Sequence, residues 1–151
     1  MKISRLKSLL PELIAGLFVL LYVYTALSKV QEFHRFEVVM KHSPLIKPAA
    51  SILAWVIPAI ELIIAAGLIW PRTRYKALIA STALITVFTF YTAWILLTAS
   101  NPPCNCGGVI ESLTWPQHLV FNATFLTLGI IACLQYHKQL IAINRNSRTP
   151  V

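Results

Sequence analysis

Four long apolar stretches alternate with short polar segments along the chain. They cover roughly residues 12–30, 49–70, 77–99 and 117–136, and each is close to the ~20 residues that a helix needs to cross about 30 Å of hydrocarbon. Backbone polar groups in lipid must find partners within their own segment, which favours helices over open strands. The pattern therefore predicts an all-α membrane protein, a bundle of four transmembrane helices in a single integral membrane domain over residues 1–151.

Proline and polar residues mark the expected ends of these helices. Ser8 with Pro11 is predicted to open the first helix. Thr114, Pro116 and Gln117 are predicted to open the fourth, as a cap, a first-turn proline and a side chain that reaches back. Residues 31–47 interleave Phe and Val with charges, and we expect them to form a short helix lying on the outer surface of the membrane.

The composition agrees with a lipid environment. Hydrophobic residues make up 57% of the chain and charged residues 12%, against about 45–50% and about 25% in soluble domains. A soluble core of this size could not hide so much apolar surface. The net charge of +8 lies in short basic clusters beside the apolar stretches, which is typical of membrane topology. We therefore predict lipid as the surroundings and no nucleic-acid partner.

Lysine and arginine residues predict the orientation. With four spans, the two sides hold nine and four of them: Lys2, Arg5, Lys7, Arg72, Arg74, Lys76, Lys138, Arg145 and Arg148 against Lys29, Arg35, Lys41 and Lys47. The richer side is usually cytoplasmic, so we predict both termini in the cytoplasm and the protein in a bacterial inner membrane. The connection 100–116 would then face the oxidising periplasm. The first span exceeds the core of a signal peptide, and we expect it to remain as an anchor.

Two cysteines one residue apart, Cys104 and Cys106, are the sharpest chemical feature of that connection, and two glycines follow them. Such a pair can close a small, strained disulfide, and strained, exposed disulfides exchange readily with thiols. A static disulfide that only pins the loop is the alternative. A third interpretation is metal handling, because two thiolates suit copper(I) and could contribute to a zinc site with His118 or His34; we assign no metal ligand.

Other ionisable residues are candidates for chemistry or for packing. Glu61 lies within the second span, where an ionisable side chain is costly and indicates function; Lys29, near the end of the first span, is its expected partner. The pair either locks two helices together or carries a proton. His118 shares a helix face with Asn122 and is either a base for a thiol or an interfacial hydrogen-bonding residue. Cys133, deep in the fourth span, is expected to be a small buried apolar residue.

The chain resembles the MauE/DoxX-like membrane proteins in three places: residues 24–29 at the end of the first span, residues 57–62 with Gly67 in the second, and residues 104–108 after the third. The resemblance covers roughly residues 12–135. It implies a four-helix bundle associated with thiol redox or with disulfide maturation of exported proteins, working with thioredoxin-like partners. We carry over this redox-associated class and not the methylamine pathway for which the MauE branch is named.

The resemblance and the residues together give one leading hypothesis. Cys104 and Cys106 would exchange disulfides with an exported protein or a thioredoxin-like partner, with His118 as base and with Glu61 and Lys29 holding the helices or relaying a proton. A single cysteine pair would need a partner or a quinone as electron acceptor, and a quinone is the one cofactor that this leaves open. The alternative is a non-enzymatic membrane assembly or scaffold subunit with a structural disulfide.

Overall fold

A computed structural model describes residues 2–43, 45–98 and 114–146. Five α-helices and one 3₁₀ turn account for nearly all of them: α1 (Lys2–Gln31), α2 (Phe33–His42), the turn Lys47–Ala49, α3 (Ala50–Ile69), α4 (Arg74–Thr98) and α5 (Trp115–Asn146). Within these residues there is no β-strand.

Four segments of the described chain are long and apolar enough to cross a membrane: Leu9–Gln31, Lys47–Ile69, Arg74–Thr98 and Trp115–Ala142. The prediction of an all-α protein with four spans is therefore confirmed. The side of the membrane on which the termini lie stays a prediction. We call the end where α1 begins and α5 ends the terminal end, and the end that carries α2 the loop end.

The first and last helices are longer than their apolar stretches predicted. The first was expected to begin near residue 12 and the fourth to end near 136, whereas α1 begins at Lys2 and α5 ends at Asn146. Pro11 lies inside α1 instead of opening it. Hydropathy marks only the part of a helix that lies in lipid, while Lys, Arg, Gln and Leu in the flanks continue the helical backbone beyond it.

The four long helices form a ring in which each contacts two neighbours. α1 packs against α3, α3 against α4, α4 against α5, and α5 returns to α1. Because consecutive spans cross in opposite directions, all four neighbouring pairs are antiparallel, as in an up-down-up-down bundle. Short links favour this order, since only residues 70–73 separate α3 from α4.

Aromatic side chains of α1 occupy the centre of the ring. Phe18 is fully buried and meets Phe125 edge to face, with ring centroids 5.4 Å apart. Tyr22 lies one turn further along α1, with its ring 5.8 Å from that of Phe18. Around them pack small and branched residues of all four long helices: Ile14, Ala15, Ile64, Ala65, Leu68, Ala77, Leu78 and Ala132.

The outer surface of the ring is as apolar as its centre. Leu97 is 84% exposed and Phe90 71%, and further large apolar side chains project from every long helix. A water-soluble bundle would place such residues inward. Lipid tails solvate these side chains without penalty. A helix in a membrane is therefore apolar on the face towards lipid as well as on the face towards the bundle.

The short helix α2 forms as predicted, and it packs along the beginning of α3; its place at the membrane surface stays a prediction. Its Phe33 ring is 4.5 Å from the ring of Trp55, and the Ser51 hydroxyl donates to Glu37 at 2.6 Å. Phe36 and Met40 fill the space beside small alanines at the start of α3. α2 therefore runs antiparallel to α3 and covers its first three turns.

At the terminal end, Arg74 ties three helices together. Its Nε donates to the Leu68 carbonyl at 3.1 Å, and its Nη1 lies 3.4 Å from the Glu12 carboxylate of α1. The Thr73 hydroxyl donates to the Gly67 carbonyl at 2.8 Å. These bonds satisfy carbonyls that have no partner within α3 because the helix ends there.

Gly129 allows α4 and α5 to approach closely, and we predict that it cannot be enlarged. A Cβ there would lie 2.7 Å from Thr82 Oγ1 and 3.3 Å from Phe18 Cζ. Gly129→Ala should therefore lower the free energy of unfolding by about 1–3 kcal/mol.

Gly16→Ala is the matched control for this prediction, because a Cβ at Gly16 would meet nothing within 4 Å and alanine favours the helix by up to ~1 kcal/mol. Unfolding in mixed detergent micelles measures both variants. Equal stability of the two would contradict the close contact at Gly129.

Candidate functional site

A buried ion pair joins α1 to α3, as predicted from the sequence. Lys29 Nζ lies 2.7 Å from Glu61 Oε1 and 3.0 Å from Oε2, so the ammonium donates to both oxygens of the carboxylate. Lys29 is 8% exposed and Glu61 1%. Each charge is thus withdrawn from solvent and is compensated directly by the other.

The immediate surroundings of the pair are polar on one side and aromatic on the other. The buried Thr25, one turn before Lys29 on α1, donates its hydroxyl to the Tyr22 carbonyl at 3.3 Å and lies near the Glu61 carboxylate. On the opposite side, the Phe36 ring of α2 has its centroid 5.8 Å from Lys29 Nζ. A cation over an aromatic face gains favourable electrostatic energy, so α2 contributes to the site as well as to the fold.

Tryptophans indicate the depth of the pair. Trp55 and Trp70, on α3, are both 65% exposed, and exposed tryptophans concentrate at the two membrane interfaces. Glu61 is six residues beyond Trp55, roughly 9 Å along the helix axis. The pair therefore lies below the interface at the loop end, deep enough that an unpaired charge would be costly.

A second polar contact links α4 and α5 at the same end. The Asn122 side-chain amide donates to the Thr92 hydroxyl at 3.3 Å, and both residues are buried. His118, one turn before Asn122, is half-buried with its ring 6.4 Å from that of Trp115. Because α5 packs against α1, the beginning of α5 lies at the same end of the bundle as the ion pair.

Further hydrogen bonds connect α2 and α1 to α4. The Tyr91 hydroxyl donates to Ser43 Oγ at 2.9 Å, just after α2 ends. Deeper in the bundle, the Tyr22 hydroxyl donates to the Ser81 carbonyl at 2.9 Å, and Ser81 Oγ donates to the Tyr22 oxygen at 3.1 Å. The sequence alone did not predict these pairs, because serines, threonines and tyrosines are common in spans and nothing in their spacing identifies a partner on another helix.

The structure places three of the five predicted site residues at the same end of the bundle. Lys29 and Glu61 are in contact, and His118 lies in the first turn of α5. Cys104 and Cys106 lie outside the described residues. Their connection follows α4, which ends at Thr98, and precedes Thr114, whose backbone amide donates to Gln117 Oε1 at 2.9 Å at the start of α5.

The remaining cysteine lies far from that connection. Cys133 Sγ is 3.5 Å from Thr82 Oγ1, and the residue is partly buried against the aromatic centre of the bundle. It follows Trp115 by 18 residues, about 27 Å along α5. Among the residues that the structure describes, no three His, Cys, Asp or Glu side chains are grouped to hold a metal ion.

Comparison with protein families shows where this architecture belongs. The family model described as methylamine utilisation protein MauE matches residues 7–135, which include the first three spans, most of the fourth, the ion pair and the cysteine connection. The chain belongs to this family. A search of curated proteins and one of solved structures each found no match.

Membership in the MauE family agrees with the localisation predicted above. A family of membrane proteins and four spans in the described chain both fit a multi-pass protein of the bacterial inner membrane. The DoxX-like part of the resemblance is not tested by this match. Roles for Lys29, Glu61 and His118 in chemistry stay predictions, because their positions alone do not separate a catalytic group from a structural one.

We predict that the two charges of the ion pair depend on each other for stability. Lys29→Met and Glu61→Gln each remove one partner and should lower the free energy of unfolding by about 3–5 kcal/mol. The double variant, which buries no charge, should lose clearly less than the sum of the two single variants.

Unfolding of the four proteins in mixed micelles measures this coupling. Arg35→Gln is the control, since its partner Glu32 is 3.5 Å away and the pair is exposed, where ion pairs contribute little. Strictly additive losses in the double variant would show that the two side chains act independently.

The attachment of α2 to α3 should depend on pH through Glu37. Hydrogen bonds from Lys41, at 2.7 Å, and from Ser51 hold the pKa of Glu37 below its ordinary value of 4.5. Because the pKa of Glu37 is lower in the folded protein than in the unfolded chain, its hydrogen bonds contribute their full stabilisation at pH values above the ordinary pKa. This contribution is lost as the pH falls through the folded-state pKa. We therefore expect the Tm difference between wild type and Glu37→Gln to be constant near neutrality and to shrink below about pH 4.5.

Glu32→Gln is the matched control for this pH dependence, because it removes another exposed carboxylate of the same segment. Its effect on Tm should be small throughout, as expected for a weak exposed pair. A Tm difference between wild type and Glu37→Gln that grows as the pH falls would contradict a stabilising role of the ionised Glu37 carboxylate.

Proposed function

We propose that this MauE-family protein exchanges disulfides with exported proteins at the loop end of the bundle, through Cys104 and Cys106. The observation that carries the proposal is the meeting of polar groups at that end. The cysteine connection joins α4 to α5 there, His118 lies in the first turn of α5, and the Lys29–Glu61 ion pair lies at the same end. The family match adds a membrane setting and an accessory role in methylamine utilisation.

The exchange conserves electrons between two sulfur pairs. A thiolate of the reduced pair attacks one sulfur of a partner's disulfide, forms a mixed disulfide and releases the other sulfur as a thiolate. The second cysteine of the pair then attacks the mixed disulfide. The partner leaves as a dithiol, and Cys104 and Cys106 become the disulfide. The reverse sequence oxidises a client dithiol and leaves the pair reduced.

The buried groups support this chemistry in separate ways. A neutral His118 imidazole would accept the proton of an attacking thiol, because the thiolate is the nucleophile. Glu61 keeps Lys29 in place through two hydrogen bonds, and in this proposal the ion pair holds α1 and α3 together without touching the sulfurs.

A single cysteine pair can exchange electrons with a client, but it needs a second redox partner to return to its starting state. After each exchange, the pair has to be restored by a second partner, for which a thioredoxin-like domain with its own cysteine pair is the simplest candidate. The protein would then be an intermediate carrier for a client with many disulfides. The family description, methylamine utilisation protein MauE, supports a search for this client among the proteins of such a system.

A non-enzymatic role is the second candidate, and the hydrogen bonding within the ion pair favours it. Both oxygens of the Glu61 carboxylate accept from Lys29, at 2.7 and 3.0 Å, and the pair is buried. A carboxylate whose two oxygens both accept hydrogen bonds from a buried partner is typical of a structural ion pair that holds two helices together. In this interpretation Cys104 and Cys106 form a static clip, and the loop end binds a client during its assembly.

Trapping of mixed disulfides distinguishes the two roles. We predict that Cys106→Ser or Cys104→Ser, expressed in the native host, accumulates a cross-linked species that reductant dissolves, because the resolving thiol is missing. Cys133→Ser is the matched control, since Cys133 lies beside Thr82 inside the bundle, and it should trap nothing. Non-reducing electrophoresis followed by mass spectrometry of the cross-linked partner measures the outcome.

The redox state of the loop gives an independent reading of the same proposal. Thiol labelling in isolated membranes should find Cys104 and Cys106 partly oxidised and reducible by mild reductant. Absence of any trapped species in both single variants, with a pair that resists mild reductant, would refute exchange and support the static clip.

A further inference from the structure

Two helices extend past the rest of the bundle at the terminal end. The Tyr75 hydroxyl lies 3.2 Å from His137 Nδ1, so the first turn of α4 is level with this part of α5. α4 begins at Arg74, whereas α5 continues nine residues beyond His137, to Asn146, roughly 14 Å further. Similarly, α1 begins ten residues before Glu12, which pairs with Arg74.

The extension of α5 carries an open groove with a basic rim and an apolar floor. The groove encloses about 330 Å³ and is lined by Lys138, Ile141, Ala142 and Arg145. The spacing of three, four and seven residues places all four on one face of the helix. Each of them is exposed, and within the described residues no acidic side chain pairs with either cation.

The depth of this groove matches the headgroup layer of a bilayer. From Trp115 to Tyr136, α5 advances 21 residues, about 32 Å, which already crosses the hydrocarbon. The headgroup layer adds several ångströms beyond it. Long side chains on a helix lean towards its N-terminus, which for α5 is back towards the membrane. Lys138 and Arg145 are therefore aimed at headgroup level, and Ile141 and Ala142 can contact the start of an acyl chain.

We propose that Lys138 and Arg145 form a binding site for the phosphate headgroup of an anionic phospholipid, seated over Ile141 and Ala142. Lysine and arginine bind phosphate through charge and hydrogen bonds, and basic residues at a membrane surface attract anionic lipid. The basic positions Lys2, Arg5 and Lys7 of the α1 extension lie at the same end of the bundle. The lipid would fix the projecting part of α5 at the membrane surface.

An acidic protein segment and free phosphate are the other ligands that two cations could attract. The apolar floor favours lipid over free phosphate, because a soluble anion gains nothing from Ile141 and Ala142. The closeness of the groove to the end of the hydrocarbon favours lipid over a protein segment, since the bilayer surrounds α5 at that level on every side that the bundle leaves open.

Native mass spectrometry of the purified full-length protein tests the proposal directly. The protein is equilibrated with equal amounts of phosphatidylglycerol and phosphatidylethanolamine of the same acyl chains, and the retained lipids are counted. Wild type should retain phosphatidylglycerol preferentially. Lys138→Gln and Arg145→Gln should each reduce that preference about fivefold, corresponding to the ~1 kcal/mol expected for one basic residue at a membrane surface.

Arg72→Gln is the matched control, because it removes an equal charge from the exposed turn between α3 and α4 at the same end. It should leave the preference nearly unchanged, and Lys138→Arg should retain it. Circular dichroism verifies that the variants keep their helices.

Three results would overturn the site. An equal loss with Arg72→Gln would indicate diffuse surface charge instead of a groove. Unchanged retention in the Lys138→Gln/Arg145→Gln double variant would exclude these side chains. Displacement of the lipid by millimolar inorganic phosphate would indicate a soluble anion as the ligand.

Discussion

The buried ion pair between Lys29 and Glu61 is the constraint on which the arrangement at the loop end depends. In lipid, neither charge is tolerable alone, so α1 and α3 have to meet at one rotation and one level. That choice brings the Phe36 ring over Lys29 and lays α2 along the start of α3. One pair of charges thus sets how α1, α2 and α3 meet at the end of the bundle where α5 begins.

The rest of the bundle is stabilised by means suited to lipid. Its outer surface is as apolar as its interior, so burial of apolar area does not drive the helices together. The helices are held together by close packing where Gly129 lies against Thr82. Hydrogen bonds between Tyr22 and Ser81 and between Asn122 and Thr92 also join them. Each such bond satisfies a polar group that would otherwise face hydrocarbon.

Some of this could be predicted from sequence and some could not. Four spans followed from apolar stretches of the right length, and the Lys29–Glu61 pair followed from the cost of a lone charge in lipid. The true beginning of α1 did not follow, since a polar helix flank has the same hydropathy as a loop. Nor did the packing of α2 along α3, because the mixture of charged and apolar residues in α2 does not show that Phe36 and Met40 contact α3.

Cys133 bears on the redox proposal because a chain with a second reacting thiol could complete a relay alone. A disulfide needs Cα atoms within about 7 Å, whereas Cys133 lies roughly 27 Å along α5 from its first residue. Its thiol faces Thr82 inside the bundle. An extended loop that reached this depth through lipid would carry unpaired backbone groups into hydrocarbon. In the proposed exchange, electrons that enter at Cys104 and Cys106 would therefore have to leave through another molecule at the loop end, which would make a partner part of the mechanism.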